Sequence, residues 1–446
     1  MVRGKYLTIL ILLLAARMGL LGITLAHPEG GVLIDSRSYL EMAEEVGRFG
    51  PFGDPSIGDL HRTPGYPVFI AVIQNLTGTE YLGVVAAQLL ATAIACLLLV
   101  RIGAMLGSPQ AGMIGAYAYA MSPNAAMWSL TIMSESLFAL LLALALWTWL
   151  RSRGEGQMGW VAATGGLLGL ASLVRPIGLP LIGIWAATDL WGSWGAATRR
   201  RALARLVAMV GGLSLILGPW VVRNWVTYGE AVFSRAPWNT LVRFNLAYVL
   251  AEVEGIDRNE AAIQLEGRVN SWADVWAFIS AHPTEFLEQQ VRGIFRSSLG
   301  VESGAWARVV GLELESQGSF GILTAVLRGR LSEAWRAAAD LLRSGSGTVL
   351  LIGTLAVFHT LASYVAAGRA VFPGETSRAG GGVVVTCLLL TVMYLLVAPG
   401  AAGQARFRVA AEPYLALLAG MGAVLWGEAL GRRRVKKPAE ASANLA

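Results

Sequence analysis

Ten apolar runs recur along the chain, near residues 6–26, 81–100, 105–121, 129–150, 158–174, 177–191, 205–222, 347–367, 382–398 and 409–430. Repeated runs of roughly 18 to 22 residues read as helices that cross a bilayer. The expected fold class is therefore all-α, a polytopic transmembrane helical bundle of about ten spans (range nine to twelve). The first run follows Arg3 and Lys5 and ends in ITLA, which imitates a signal peptide; its length favours an uncleaved anchor.

Two long connections, 27–80 and 223–346, have helical patterning of their own. SRSYLEMAEEVGRFG opens with Ser38 and Glu41 in S-x-x-E spacing, a capping box, and places Tyr39, Met42, Ala43 and Val46 on one face. HPTEFLEQQVRGIFRSSL (282–299) sets Phe286, Leu287, Val291, Ile294 and Phe295 at helical spacing, and 320–342 repeats the theme. Such segments fit amphipathic helices lying at a membrane interface, or plain capping of the bundle. The layout expected is a membrane-embedded domain over 1–430, with 27–80 and 223–346 external, followed by a basic cytoplasmic tail, 431–446.

Composition agrees. Of 446 residues, 55% are hydrophobic and 14% charged, against about 25% charged in an average soluble domain. The net charge of +6 is explained by where the basic residues fall. Arg3, Lys5, Arg101, Arg151, Arg153, the arginines of 199–201, Arg205, Arg369, Arg378 and the tail GRRRVKK all lie on one side of the predicted bundle. That is the positive-inside bias of cytoplasmic loops, and it makes nucleic acid an unneeded partner. Both termini are then cytoplasmic and both long connections external, in a plasma or bacterial inner membrane. Cys96 and Cys387 sit inside apolar runs and read as packing residues. His27, His61, His282 and His359 have no HxH or HxxxH neighbour, so no metal site is read from spacing and no cofactor is expected; two acids could hold a divalent ion, without imidazole support.

The charge sorting gathers ionisable residues at one depth, on the external side. Asp35 lies just past the first run and Glu135 just inside the fourth. Arg175 sits at a turn, Arg223 and Asn224 leave the seventh run, and Arg406, Arg408 and Glu412 enter the tenth. Charges at membrane depth are expensive and face a bundle interior or a wet cavity. Taken singly, Arg175, Arg223 and Arg408 read equally as snorkelling side chains, and Asp35 as a helix cap. Arg17, within the first run, either approaches the same cavity or pairs inside the bundle. Together, arginine forks suit a phosphate and a carboxylate beside them suits a general base. A phosphate-headed lipid would place its phosphate at this depth. Trp272, Trp276 and Trp306 are candidates for stacking on sugar or for anchoring at the interface.

DSRSYLEMAEEV followed by HRTPGYPVFIAVIQNLTG resembles the first external loop of bacterial C-type glycosyltransferases, the integral-membrane relatives of protein O-mannosyltransferases and of the lipid A aminoarabinose transferase. RTPGYP is the most specific piece. SESLFALLLALALW, LVRPIGLPL, GPWVVRNWVTYGE and ARFRVAAEPYLALLAG also look like that family's recurring segments, in order, so the resemblance covers most of 6–430. It implies transfer of a sugar from a polyprenyl-phosphate carrier to a lipid, glycan or protein acceptor on the outer face, with inversion. Asp35 matches the catalytic acid of the first loop and Glu135 the second acid. Arg406 or Arg408 match a phosphate-binding arginine, with Arg223 and Arg175 as further candidates for the phosphate. Tyr39, His61, Arg62, Tyr66, Asn224 and Glu412 are candidates for lining the substrate site, although RTPGYP also has a structural reading, its prolines restricting the loop and Gly65 permitting a tight turn. Asp35 is followed by Ser36 where the mannosyltransferases carry an acidic pair, which weakens protein mannosylation as the activity. The chain also ends soon after the tenth run, so the soluble C-terminal domain of larger relatives is not expected. A transporter or lipid flippase is the rival class; it predicts repeated halves with broken helices, and no such pairing is visible.

Overall fold

The computed structural model describes residues 2–50, 62–191, 196–312, 325, 329–343, 347–371 and 381–443. Every regular element among them is helical, as the apolar periodicity requires. The ten apolar runs each coincide with helix. The first is α1 (Val2–Met18) continued by α2 (Leu21–Ala26). Then, after α3 (Ile34–Phe49) and α4 (Gly65–Thr77), come α5 (Leu82–Met105), α6 (Pro109–Ala120), a short α7 (Pro123–Leu130), α8 (Glu135–Glu155), α9 (Met158–Val174), α10 (Leu181–Trp191) and α11 (Ala196–Tyr228). Six helices among the described residues are long and apolar enough to cross a membrane: Leu7–Ala26, Leu82–Met105, Glu135–Glu155, Thr198–Tyr228, Gly347–Val371 and Ala405–Leu430. The protein is integral to a membrane. The remaining four runs form shorter helices, only 12 residues in α6 and 11 in α10, because Ser108-Pro109 and Pro176 to Pro180 interrupt the apolar stretches.

The 223–346 segment builds α12 (Ala236–Thr240), α13 (Ala247–Glu254), α14 (Arg258–Glu266), α15 (Trp272–Ala281), α16 (Pro283–Leu299), α17 (Ser303–Val309) and α18 (Leu331–Arg343). It has a small core of its own, formed by Val242, Leu246, Leu250, Ala261, Leu265 and Val275. The last three long helices are α19 (Gly347–Val371), α20 (Gly381–Val397) and α21 (Ala405–Ala443).

Helix α21 is the hub of the bundle, its apolar part the most buried of the spans. Lipid supplies no hydrophobic drive between helices, so spans associate where small residues let backbones approach. A Cβ on Gly420 would stand 2.1 Å from the Ala111 carbonyl oxygen of α6, and one on Gly422 would stand 1.8 Å from that of Ala366 in α19. Gly422→Val should therefore destabilise the detergent-solubilised protein by about 1–3 kcal/mol, as for other overpacked cores, seen as a lower thermal midpoint; an unchanged midpoint would show that the α19–α21 contact carries little.

Two local expectations are revised and a third, for α16, is made specific. The helix expected from Ser38 begins at Ile34 instead: the Leu33 amide donates to Ser36 Oγ at 2.9 Å, so Ser36 caps and Asp35 lies inside the first turn. The apolar stripe of α16 points outward, with Leu287, Val291 and Phe295 exposed while Gln289, Gly293 and Ser297 are buried. Gly293 is the reason, since its Cα side lies against the Gly400 carbonyl, where a Cβ would come within 1.9 Å. Gly65 has no positive φ; its missing side chain instead admits the Leu173 backbone, 2.6 Å from where a Cβ would be. Cys96 and Cys387 are buried and free, as packing residues should be. His61, 320–324, 326–328, Arg378 and the side chains of 431–446 lie outside the described residues.

Candidate active site

The two acids singled out in the sequence come together through glycine contacts. The turn after α2, Pro28–Gly31, lies flat against the end of α7: the Ile132 amide donates to the Gly31 carbonyl at 2.9 Å, and a Cβ on Gly31 would strike the Leu130 carbonyl at 2.4 Å. Asp35 follows that turn and Glu135 follows Ile132, so the backbone pairing holds both helix starts side by side. Each carboxylate sits in the first turn of its helix, where the dipole favours negative charge.

Asp35 is held by two arginines from distant parts of the chain. Arg406 Nη1 donates to Oδ2 at 2.6 Å and Arg62 Nη2 to Oδ1 at 3.1 Å. Burial works to raise the Asp35 carboxyl, but the charges and hydrogen bonds of Arg406 and Arg62 outweigh it, and the pKa falls to about 2. Arg62 also lies 4.4 Å from the centre of the Tyr39 ring. Glu135 is fully buried and ion-paired to Arg175, which reaches Ser134 Oγ at 3.3 Å as well. Phe407 joins the two pairs, its ring meeting Arg175 at 5.2 Å and Arg406 at 5.3 Å. One buried atom of each pair, Glu135 Oε2 and Arg406 Nε, has no hydrogen-bond partner among the described residues. Buried polar atoms are seldom left this way; Arg17, Tyr119, Trp128 and Ser297 also carry such atoms, so what sets these two apart is their place in adjoining ion pairs.

The position of Arg406 is set by a clamped turn. Gly400 adopts φ +57°, the Ala401 amide donates to Asn245 Oδ1 at 2.7 Å, and Arg296 donates to the Ala401 and Gly403 carbonyls. The Ala405 amide donates to Glu302 Oε1 at 3.2 Å. Burial pushes the Glu302 carboxyl above its usual range, against the pull of Arg406, Arg408 and Arg296. Glu302, Phe407 and the Asn245–Arg296 clamp were missed in the sequence, where VESGAW reads as a loop and nothing marks its acid.

The other candidates make their own contacts outside the two ion pairs, Tyr66 alone touching the cluster through an edge-to-face contact with Tyr39 at 4.9 Å. Arg408 is buried and bonded to the carbonyls of Ser297, Ser298 and Gly300, and to Glu412. Glu412 in turn accepts from Ser122 and Asn124. Tyr66 is fully buried and donates to Gln88 at 2.6 Å. Arg223 stacks between Trp220 and Tyr228 at 5.0 and 4.9 Å, and Asn224 donates to the Val232 carbonyl. Arg17 is inside the bundle, donating to the carbonyls of Tyr119 and Ala120 at the end of α6. Trp306 is core, whereas Trp272 and Trp276 are exposed.

An apolar groove of about 390 Å³ runs between α4, α8, α9 and α11, lined by Pro64, Leu137, Leu141, Leu173, Ile216 and Trp220 among others. Its walls come from the segments that carry Arg62, Glu135, Arg175 and Arg223, so it opens beside the polar cluster. Among the described residues no group of acids, histidines and cysteines could hold a metal ion.

Residues 61–221 match the model of a family described as dolichyl-phosphate-mannose-protein mannosyltransferase; the match contains Arg62, Glu135 and Arg175. Two solved structures of the oligosaccharyltransferase of Archaeoglobus fulgidus superpose on nearly the whole chain. AglB in complex with an inhibitory peptide and a dolichol-phosphate covers 98% of it, with 15% identity and a TM-score of 0.51. The apo form covers 97%, with 15% identity and a TM-score of 0.53. The chain shares the fold of this membrane oligosaccharyltransferase. It spans about half the length of those two structures, 52% of each. ArnT from Cupriavidus metallidurans bound to undecaprenyl phosphate aligns over 93% of this chain and 77% of its own, at 17% identity and a TM-score of 0.43. No curated protein matches the chain in sequence.

Proposed function

We propose that the protein transfers a sugar from a polyprenyl-phosphate carrier to an acceptor on the external face of the membrane, with inversion at the sugar carbon. The observation that carries this reading is the carboxylate of Asp35 clasped by Arg62 and Arg406, beside a groove fit only for hydrocarbon. Charge sorting supports placing this end of the bundle outside and both termini in the cytoplasm. A relative of this fold is described in complex with a dolichol-phosphate, which supports the choice of lipid.

The carrier's tail lies in the groove and its phosphate meets Arg406, whose Nε has no other hydrogen-bond partner among the described residues. Arg175, paired to Glu135 beside the cluster, adds positive charge, and Arg223, on the α11 segment that walls the groove, is a further candidate to meet the phosphate. As the bond from sugar carbon to phosphate oxygen breaks, the phosphate leaves as an anion stabilised by these guanidiniums, and no general acid is needed. The acceptor hydroxyl attacks from the opposite face and its proton passes to Asp35. With Arg406 drawn onto phosphate, Asp35 loses its stronger partner and becomes the better base. Glu135, held by Arg175 with one oxygen free, positions the acceptor or the sugar.

Purified protein in liposomes, given radiolabelled polyprenyl-phosphate sugars and a membrane extract as acceptor, should release polyprenyl phosphate and label the acceptor. Label crossing the bilayer without transfer would make the protein a flippase instead. Arg406→Gln should raise the KM for donor by roughly 10- to 100-fold, the worth of about 1.5–3 kcal/mol for a charge-assisted hydrogen bond. A donor KM equal to that of the parent protein would remove Arg406 from the phosphate site.

A further inference from the structure

Gln88 is a fully buried amide near the start of α5, in a stretch whose only other polar side chain is Thr92. A polar group inside a span is costly unless every end of it is partnered. Both ends are. The amide nitrogen donates to the Ser129 carbonyl at 3.1 Å and to the Thr131 carbonyl at 2.7 Å. Its oxygen accepts from the Tyr66 hydroxyl at 2.6 Å. Two carbonyls can only accept, which fixes the nitrogen on their side.

The two ends lead to the same pair of acids. Ser129 and Thr131 belong to the backbone leaving α7, and the next amide, that of Ile132, is the one that donates to Gly31. Asp35 follows Gly31 and Glu135 follows Ile132, so the amide grips the pairing that sets both helix starts. Thr92, one turn on along α5, reinforces the grip: its hydroxyl lies 3.1 Å from that of Ser129, which lies 3.3 Å from that of Ser136, beside Glu135. On the other side, the Tyr66 ring meets Tyr39 edge-on at 4.9 Å. Tyr39 lies under Arg62, and Arg62 holds Asp35. Gly65, next to Tyr66, packs on the Leu173 and Val174 backbone that presents Arg175, the partner of Glu135.

We infer that Gln88 is a positioning residue for the transfer, fixing the spacing between the Asp35 and Glu135 carboxylates without touching either substrate. The inference rests on the glycosyltransferase reading for the reaction; the tie between the two helix starts is read from the hydrogen bonds alone. Base and sugar must be held on one line of attack, and a misplacement of about 1 Å can cost about 10²-fold in rate.

Gln88→Met keeps the length of the side chain and removes both ends of the amide. It should lower kcat for sugar transfer by roughly 10- to 100-fold while donor KM stays within about threefold of parental. Donor KM is spared because Asn245 and Arg296 hold the turn that carries Arg406. Tyr66→Phe cuts one route and keeps the ring, so its loss should be smaller. Gln88→Met combined with Asp35→Asn should lose less than the product of the two single effects, as expected of a residue acting through that acid. Thr148→Val is the control for destabilisation. It also removes a buried hydroxyl contact, at 3.0 Å to Thr164, far along the helix that begins at Glu135, and should leave kcat parental.

Hydrogen exchange read by mass spectrometry, without donor, gives a second readout that needs no reaction. Gln88→Met should exchange faster than the parent over 28–36 and 129–136, and Thr148→Val should not. Should Gln88→Met fail to fold, Tyr66→Phe carries both readouts. Parental kcat, a loss confined to KM, or unchanged exchange over both segments would each overturn the positioning role. Faster exchange in a protein whose parent transfers no sugar from any donor keeps Gln88 as the tie and sinks the transferase reading. Transfer by the parent with an unimpaired Gln88→Met does the reverse.

Discussion

Replacing Asp35 by Asn should reduce sugar transfer by roughly 10²–10⁴-fold, the worth of a positioned general base, while the protein still extracts, folds and binds donor. The amide is isosteric with the carboxylate, so α3 keeps its start at Ile34 and Ser36 keeps its bond to the Leu33 amide. What is lost is the site for the acceptor proton and the anion that Arg62 and Arg406 clasp. Donor affinity should hold or rise, since Arg406 no longer has an internal carboxylate competing with phosphate. The pH profile gives a second check. In the donor-free protein the Asp35 carboxyl titrates near 2, so kcat/KM should show no acid limb from this group at pH 4 or above. Removing Arg62 leaves burial less opposed, and Arg62→Gln should move such a limb upward. The linked stability has the matching sign: a depressed carboxyl stabilises the fold above its unfolded pKa, and that contribution fades as pH falls from about 4 toward 2. An Asp35→Asn protein with parental turnover would remove the base from the mechanism, whatever became of donor binding.

The sequence made the spans legible because lipid imposes one simple rule, a long apolar run, and that rule is local. It also placed Asp35 and Glu135 at one end of the bundle, since charge sorting among loops needs only topology. It failed where two local patterns compete. Ser38 with Glu41 satisfies the capping-box spacing, yet Ser36 caps the helix because the chain first docks through Gly31 on the 130–132 backbone. The α16 stripe, read as interfacial or as a cap on the bundle, is exposed at Leu287, Val291 and Phe295; periodicity reports a face and not what it meets, and Gly293 on the opposite face admits the Gly400 turn. Partnerships were beyond reach. Arg406 and Asp35 are 371 residues apart, and no spacing rule links them. The unmarked Glu302 matters only because the turn before Arg406 folds onto it.

Arg406 and Arg408 were indistinguishable candidates for the phosphate, two residues apart in ARFR, and the structure assigns them different surroundings. A two-residue step on a helix turns side chains by about 200°, so one arginine meets Asp35 while the other enters the interior. Arg408 spends its fork on three carbonyls at the end of α16, Ser297 at 3.1 Å, Ser298 at 2.8 Å and Gly300 at 3.2 Å. Its Nε faces Glu412 at 3.4 Å, and Glu412 is held again by Ser122 at 2.6 Å and Asn124 at 2.8 Å. The network ties α16, α21 and the turn before α7. Arg408→Gln should therefore cost about 3–5 kcal/mol, because it leaves the buried Glu412 carboxylate without its counter-charge and takes donors from the carbonyls that end α16. Lysine should rescue little, as one ammonium cannot span three carbonyls in a plane. The check is thermal unfolding of the solubilised protein set beside donor binding. Arg408→Gln should lose stability, whereas Arg406→Gln should lose donor affinity and keep its midpoint. If Arg408→Gln stayed as stable as the parent and bound donor poorly, the deeper arginine would be the one that meets the phosphate, and the turn at 400–404 would have to open to admit it.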